Sequence, residues 1–188
     1  EMLRRLVGSE MCIRDRRSLE INSAAAANAV MMAAGYFNPL TGYMNKEEAL
    51  KVSREMLTLN DIFWPVPIVN ITTDANSLDY THGEEIALKD PNVEGNPVIA
   101  IQRIDNVEKL SDDDIEIIVK NVFGTTDVNH PGVKNFKDQG KYIISGPIEV
   151  LNYSYFPHDF PNTFATAPDI RKMPVSYTHL TLPTTLKV

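Results

Sequence analysis

Three of the four histidines, a serine in a Ser-Gly-Pro turn and a run of three aspartates are the residues whose types could do chemistry in this chain. His82, His130 and His158 lie far apart, and none has a second ligand at i+3 or i+4, so the spacing predicts no metal site. His130 precedes Pro131-Gly132 and reads as a turn former. His158-Asp159 has the types of a base and its orienting carboxylate, but no nucleophile stands beside it. Asp112, Asp113 and Asp114 follow Ser111 at a helix start. Consecutive residues in a first turn point in different directions, so they read as compensation of the helix dipole rather than a cation cage. Phosphate loops of the GxxxxGK[ST] or GxGxxG type are absent, and Ser145-Gly146-Pro147 lacks the GxSxG frame of a nucleophile elbow. The sequence thus assigns no catalytic, cofactor-binding or metal-ligating residue.

The elements that carry these residues follow from caps, breakers and periodicity. Ser18–Ile21 is a short strand, followed by Asn22 or Ser23 as N-cap of an alanine-rich helix, 24–34, that Gly35 ends. Asn45-Lys-Glu-Glu48 opens a second helix to about Leu57. From Trp64 to Thr72 apolar and polar residues alternate late in the run, predicting a strand with prolines at its entry or edge. Glu85–Lys89 and Pro97–Ile104 are further strands. Ser111 caps a helix that stops at Gly124, and His130-Pro-Gly-Val133 leads into a short helix ended by Gly140. Lys141–Ile144 and Ile148–Asn152 read as two strands separated by a bend at Ser145-Gly146-Pro147. An aromatic, proline-punctuated segment, 153–164, precedes Thr166, which caps one more helix start with Asp169 at its third position. Short strands with local helices between them predict an α+β domain around a small, mostly antiparallel β-barrel or sheet.

Composition narrows the function classes. Apolar residues make up 43% and charged ones 23% of the 188, as in an ordinary soluble globular protein. No apolar run approaches the roughly 20 residues of a membrane-spanning helix, and the first residues are too charged for a good secretory signal. The net charge of −7 argues against nucleic-acid and anionic-membrane partners, both of which rely on a positive field. Cys12 is the only cysteine; it cannot form an internal disulfide, which fits a reducing, cytoplasmic setting.

The two ends stand apart. SEMCIRDR (9–16) and PVSYTHLTLPTTLKV (174–188) resemble the peptides produced when sequencing-adapter DNA is translated in frame, and like any fusion scar they are set aside. On that reading residues 1–16 and 174–188 are artefact. The segment 17–173 then carries 13 basic and 22 acidic residues, a charge of −9, and no cysteine.

Within it, GYFNPLTGYM (35–44) closely resembles the signature Gly-x-Phe-Ser-Pro-Leu-x-Gly-Phe-Met of ATP sulfurylases (sulfate adenylyltransferases), with Asn38 for the serine and Tyr43 for the second phenylalanine. Trp64-Pro-Val-Pro-Ile68 is similar to that family's Trp-Pro-Ile-Pro strand, and His130-Pro-Gly-Val133 to its His-Pro-Gly-Val turn. YIISGPIEVL (142–151) resembles its strand–Gly-Gly-Pro-Ile–strand element, with Ser145 for the first glycine. The four stretches occur in the family's order. The resemblance implies a PUA-like domain over 17–165, with 166–173 beginning a linker helix to the catalytic domain of the family. That domain's marks, Gln-x-Arg-Asn, His-x-x-His and Gly-Arg-Asp, do not occur: Gln102-Arg103-Ile104-Asp105 has the wrong spacing, and Val133 stands three positions after His130. No catalytic residue is therefore carried over. The family reaction joins sulfate to the α-phosphorus of ATP, giving adenosine 5′-phosphosulfate and pyrophosphate. The resemblance implies ATP and Mg²⁺ for the full-length enzyme and no cofactor for this fragment. The partners it implies are the absent catalytic domain and further copies of the full-length chain. A free-standing PUA-like module binding RNA or protein is the alternative reading.

Overall fold

Side-chain caps set where the helices begin. In the computed structural model, which describes residues 16–172, helix α1 spans Ser23–Ala33. The Asn22 side chain accepts from the Ala25 N–H at 2.9 Å, while its own amide donates to the Ile71 carbonyl at 3.0 Å. One residue thus caps a helix and ties it to the segment that it packs on. Ala25, Ala26, Ala29 and Val30 form the buried face of α1, and such small side chains let the helix lie close to the sheet. Helix α2, Lys46–Glu55, is capped by Asn45, and Met56 closes it in the left-handed conformation. Helix α3, Asp112–Phe123, starts with a full capping box between Ser111 and Asp114 and ends at Gly124. Its buried residues Ile115, Ile118 and Val119 follow the i, i+3, i+4 spacing of an inward face. Helix α4 is Pro131–Asp138, α5 the single turn Phe156–Asp159, and α6 Ala167–Lys172; Ala75–Asp79 forms a 3₁₀ turn.

The sheet is organised around its last strand. Strands β1 (Ser18–Glu20), β4 (Glu85–Lys89) and β5 (Val98–Arg103) lie side by side, with β1–β4 parallel and β4–β5 antiparallel. Strand β7, Tyr142–Val150, takes four antiparallel partners. Its first half lies between β6 (Asn106–Lys109) and β3 (Ile71–Thr72), its second half between β5 and β2 (Gly42–Tyr43). The registers Asn106↔Ser145 and Gln102↔Ile148 mark the change of partner on one side. Through this change the mixed sheet curls into a half-barrel. Met44, Ile71, Ile86, Leu88, Ile99, Ile104, Leu110, Ile118, Ile143 and Ile144 fill it and are essentially inaccessible to water.

Gly146 makes the change of partner possible. Its φ is +135°, and a Cβ there would overlap the Arg103 carbonyl oxygen. Gly42, opposite Pro147, is equally constrained, since a Cβ on it would overlap the Gly146 carbonyl. Three backbone segments therefore pass one another with no side chain between them.

Inside the half-barrel sits one buried polar pair. The Asn70 amide donates to Gln102 Oε1 at 3.0 Å, and the Gln102 amide donates to the Ile144 carbonyl at 3.2 Å. The Ile144 N–H in turn donates to the Asn70 carbonyl at 2.9 Å, so the pair holds the 70s loop, β5 and β7 in one register. Asn70 Oδ1 has no partner among the described residues.

Three expectations from the sequence are corrected. Only Ile71–Thr72 of the stretch 64–72 is a strand; prolines 65 and 67 remove the donors a ladder would use. Ser145-Gly146-Pro147 does not divide two strands but lies inside the continuous β7. Strand β6, missed because NVEK carries one apolar residue, is present; the pairing comes from β7 rather than from its own pattern.

Two outcomes follow for stability. Gly146→Ala puts a methyl group into the Arg103 carbonyl at a φ that L-residues avoid, and urea denaturation should show a loss of about 3 kcal/mol or more. At the start of α3, burial favours the neutral Asp114 carboxyl, but Lys46 Nζ at 2.7 Å and the Ser111 hydroxyl and N–H together hold its pKa below the ordinary value. The unfolded chain therefore takes up this proton more readily than the folded one. The contribution is complete above pH about 4 and is lost as pH falls through the depressed folded value. Asp114→Asn should cost about 1 kcal/mol at pH 7, and the difference from wild type should shrink as pH falls below about 4 in pH-dependent urea denaturation.

Candidate functional site

The stretches that stand out in the sequence converge in space. A cleft of about 440 Å³ is lined by Pro39 to Tyr43, by Trp64 and by Gly146-Pro147, bringing together three of the four motif segments. Its floor is the close backbone approach of Gly42 and Gly146. One wall is the tight hairpin after α2, in which the Thr58 N–H donates to the Ile62 carbonyl at 2.9 Å and the Trp64 N–H to Met56 at 2.8 Å. Lys51 of α2 holds this hairpin through Asp61 at 2.6 Å, and the Leu59 N–H donates to Glu48 at 3.4 Å. The Trp64 and Phe37 rings meet edge to face with centroids 5.6 Å apart, which fixes the indole as a rigid wall.

Besides Tyr43, the polar side chains of the cleft are Thr41, Glu48, Thr58, Asn60, Arg103 and Asp105. Strand alternation explains the pair at the end of β5. Gln102 points into the core, fully buried, so its neighbour Arg103 faces the cleft. Among the described residues the Arg103 guanidinium has no hydrogen-bond or ion-pair partner. Tyr43 contributes no acid–base chemistry. Its phenol donates to the Ala25 carbonyl at 2.8 Å, and burial pushes its pKa well above the ordinary value. The lining residues contain no nucleophile paired with a base.

The histidines do not meet here. His82 Nδ1 lies 2.9 Å from the Asp105 carbonyl, outside the lining. His130 occupies the N-cap position of α4 without a side-chain cap bond, its ring tilted against Phe123 at 5.6 Å. His158 Nδ1 does pair with Asp159 at 2.8 Å, but the imidazole is 91% exposed and faces no nucleophile. Among the described residues no group of three or more His, Cys, Asp or Glu side chains gathers. Asp112 pairs with Lys141 and Asp114 with Lys46, so the aspartate run serves the start of α3. Arg103, Asp105 and Glu48 were not singled out in the sequence as cleft residues. The signal was the alternation at Gln102-Arg103 within the strand expected over 97–104, but which of its faces turns inward depends on partners far along the chain.

The half-barrel sheet with its short helices and closing strand defines the class: a family model described as PUA-like domain matches residues 9–153, and the chain belongs to that family. Three curated relatives share the name sulfate adenylyltransferase. A sulfate adenylyltransferase of Alcanivorax borkumensis is 54% identical over 154 residues, covering 82% of this chain and 38% of that protein. Those of Allochromatium vinosum and of the Riftia pachyptila sulfur-oxidizing endosymbiont are 47% and 42% identical, with 82% of this chain covered and 38% and 34% of theirs. The chain thus spans little more than a third of the length of these relatives. A solved hexameric APS kinase from Thiobacillus denitrificans superposes with a TM-score of 0.62 at 21% identity, over 87% of this chain and 27% of that one, and supports the fold alone.

No helix among the described residues is long and apolar enough to cross a membrane. Since the Arg103 guanidinium has no hydrogen-bond or ion-pair partner among the described residues, Arg103→Ala should leave the stability measured by urea denaturation within about 0.5 kcal/mol of wild type. A larger loss would show that the guanidinium supports the fold and is not free for a ligand.

Proposed function

We propose that this chain is the non-catalytic amino-terminal domain, residues 17–165, of a cytoplasmic sulfate adenylyltransferase, with residues 166–173 leading towards the catalytic domain. The observation that carries the reading is the 54% identity to a protein of that name, over a stretch amounting to 38% of its length. The reaction joins ATP and sulfate to adenosine 5′-phosphosulfate and pyrophosphate, or runs in reverse.

The residues present do not fit ATP and Mg²⁺. A triphosphate and the charge developing during phosphoryl transfer call for several cations and oriented donors. The cleft offers a single guanidinium, Arg103, against the carboxylates Glu48 and Asp105. No step of the reaction is therefore assigned to this chain. Its contribution to the enzyme is packing against the domain that does the chemistry. The start of α6 supports this role. The Ala167 N–H donates to the Ala34 carbonyl at 2.8 Å, the Tyr36 hydroxyl to the Ala165 carbonyl at 2.8 Å, and Pro168 rests on Gly35. The helix leaves the domain from a fixed corner rather than from a loose end.

The cleft itself favours a second reading, a PUA-like module that binds RNA or protein on its own. The charge of −7 weighs against RNA, whose phosphates are held by Lys and Arg. Filter binding at low salt separates the two readings, and no retention of single-stranded RNA is expected. For the first reading, the purified 188-residue chain should release no pyrophosphate from ATP and sulfate above a heat-killed control. Release above that control overturns the assignment of a non-catalytic domain.

A further inference from the structure

The cleft gathers charges of both signs that do not pair with one another. Arg103, Asp105 and Glu48 all line it. Arg103 and Asp105 stand two residues apart, about 7 Å of extended backbone, yet they form no ion pair, and neither side chain has a hydrogen-bond partner among the described residues. The side chains of Thr41 and Asn60 lack partners in the same way. The Glu48 carboxylate accepts only from the Leu59 N–H, at 3.4 Å, while Lys51 on the same helix is taken up by Asp61 at 2.6 Å. These groups stand on fixed backbone. The Arg103 carbonyl lies against Gly146, the Asp105 N–H donates to the Ser145 carbonyl at 2.9 Å, and Glu48 belongs to the capped first turn of α2. Leu40, Ile62 and Trp64 give the same cleft an apolar side.

We propose that the cleft is a binding site for a basic α-amino acid, lysine or arginine, with its carboxylate on the Arg103 guanidinium, its two cationic groups towards Asp105 and Glu48, and its methylene chain against the apolar side. The charges select this class. One guanidinium and two carboxylates leave the cleft with one negative charge in excess, which a ligand carrying one carboxylate and two cations balances. A phosphate dianion would meet two carboxylates for one guanidinium, and a simple amine would leave the guanidinium unpaired and be repelled by it. A carboxylate matches the guanidinium fork with two parallel hydrogen bonds. The volume of about 440 Å³ falls in the ordinary range of small-molecule sites. At the efficiency usual for such ligands, roughly 12 non-hydrogen atoms give a dissociation constant of about 1 mM or tighter. The proposal does not rest on the functional reading above, and pyrophosphate release plays no part in its test.

Trp64 is the only tryptophan of the chain, so its fluorescence reports on the cleft directly. L-arginine and L-lysine, which do not fluoresce, should change it saturably when the whole 188-residue chain is titrated to about 20 mM at low ionic strength, and calorimetry should return the same constants. Arg103→Ala and Asp105→Asn remove groups that the fold does not pair. Each should weaken L-arginine at least about tenfold, with stability in urea unchanged. Agmatine, which is arginine without its carboxylate, should bind wild type more weakly and lose nothing on Arg103→Ala. L-glutamate, whose charge balance is the reverse, should not bind in this range. A wild type silent in both fluorescence and calorimetry overturns the proposal, as does L-arginine binding that survives both substitutions. An equal response to L-glutamate, or agmatine binding that falls with Arg103→Ala, overturns it too, because Arg103 then does not read the carboxylate of a basic ligand.

Discussion

A strand of nine residues has two edges, and β7 uses them to pair with four other strands. This is possible only if the partners on each edge change part-way along, and a change of partner brings the ends of two strands to the same point. At Gly146 the Arg103 carbonyl comes up against β7 from one side and Gly42 from the other, with no room for a Cβ at either glycine. The curl of the sheet, the enclosure of its core and the floor of the cleft all follow from this crossing. Because the change occurs at a glycine with positive φ, the bend is local and β7 continues through it.

Helices and strands were legible to different degrees for physical reasons. The helix starts at Asn22, Asn45 and Ser111 were readable because a cap is a contract between residues three positions apart, complete within the local sequence. The left-handed ends at Gly35 and Gly124 were readable for the same reason. Strands depend on partners far along the chain. Asn106–Lys109 has one apolar residue and no strand signature, yet it pairs residue for residue with Ser145–Tyr142. The 64–72 run has the better signature and mostly fails to pair, because prolines 65 and 67 withhold their donors. Ser145-Gly146-Pro147 was readable as a place where the backbone does something unusual. That the unusual thing is a change of partner within one strand was not, since it depends on the positions of Arg103 and Gly42.

The cleft was half legible. Each motif that forms it was conspicuous alone, through its glycines, prolines and aromatic residues, but nothing local says that positions 39–43, 64 and 146–147 come together. Its charged groups were less visible still. Arg103 lies in a stretch that, as a linear string, matches nothing useful, and only the inward turn of Gln102 towards Asn70 and Ile144 makes Arg103 face outward. The buried amide pair therefore acts on both sides of β5. It holds three segments in register inside and decides which side chain the cleft receives. An apolar residue at 102 could fill the core, but it would leave the Asn70 amide without an acceptor in a site closed to water.

The cleft and the start of helix α6 meet at one corner of the half-barrel. Helix α6 is fixed at its first turn by Ala34, Gly35 and Tyr36, the same corner whose continuation, Pro39 to Tyr43, builds the cleft. A shift of that corner would have to move both. The corner is stiff for reasons already present in its ten residues: Phe37 is braced on Trp64, Tyr43 is anchored to Ala25, and Gly42 is locked beneath Gly146. So the segment that the sequence marks most strongly both lines the cleft and holds the first turn of α6. A rigid corner serving two surfaces explains why its glycines, proline and aromatic residues are packed so densely, without asking any of them to do chemistry.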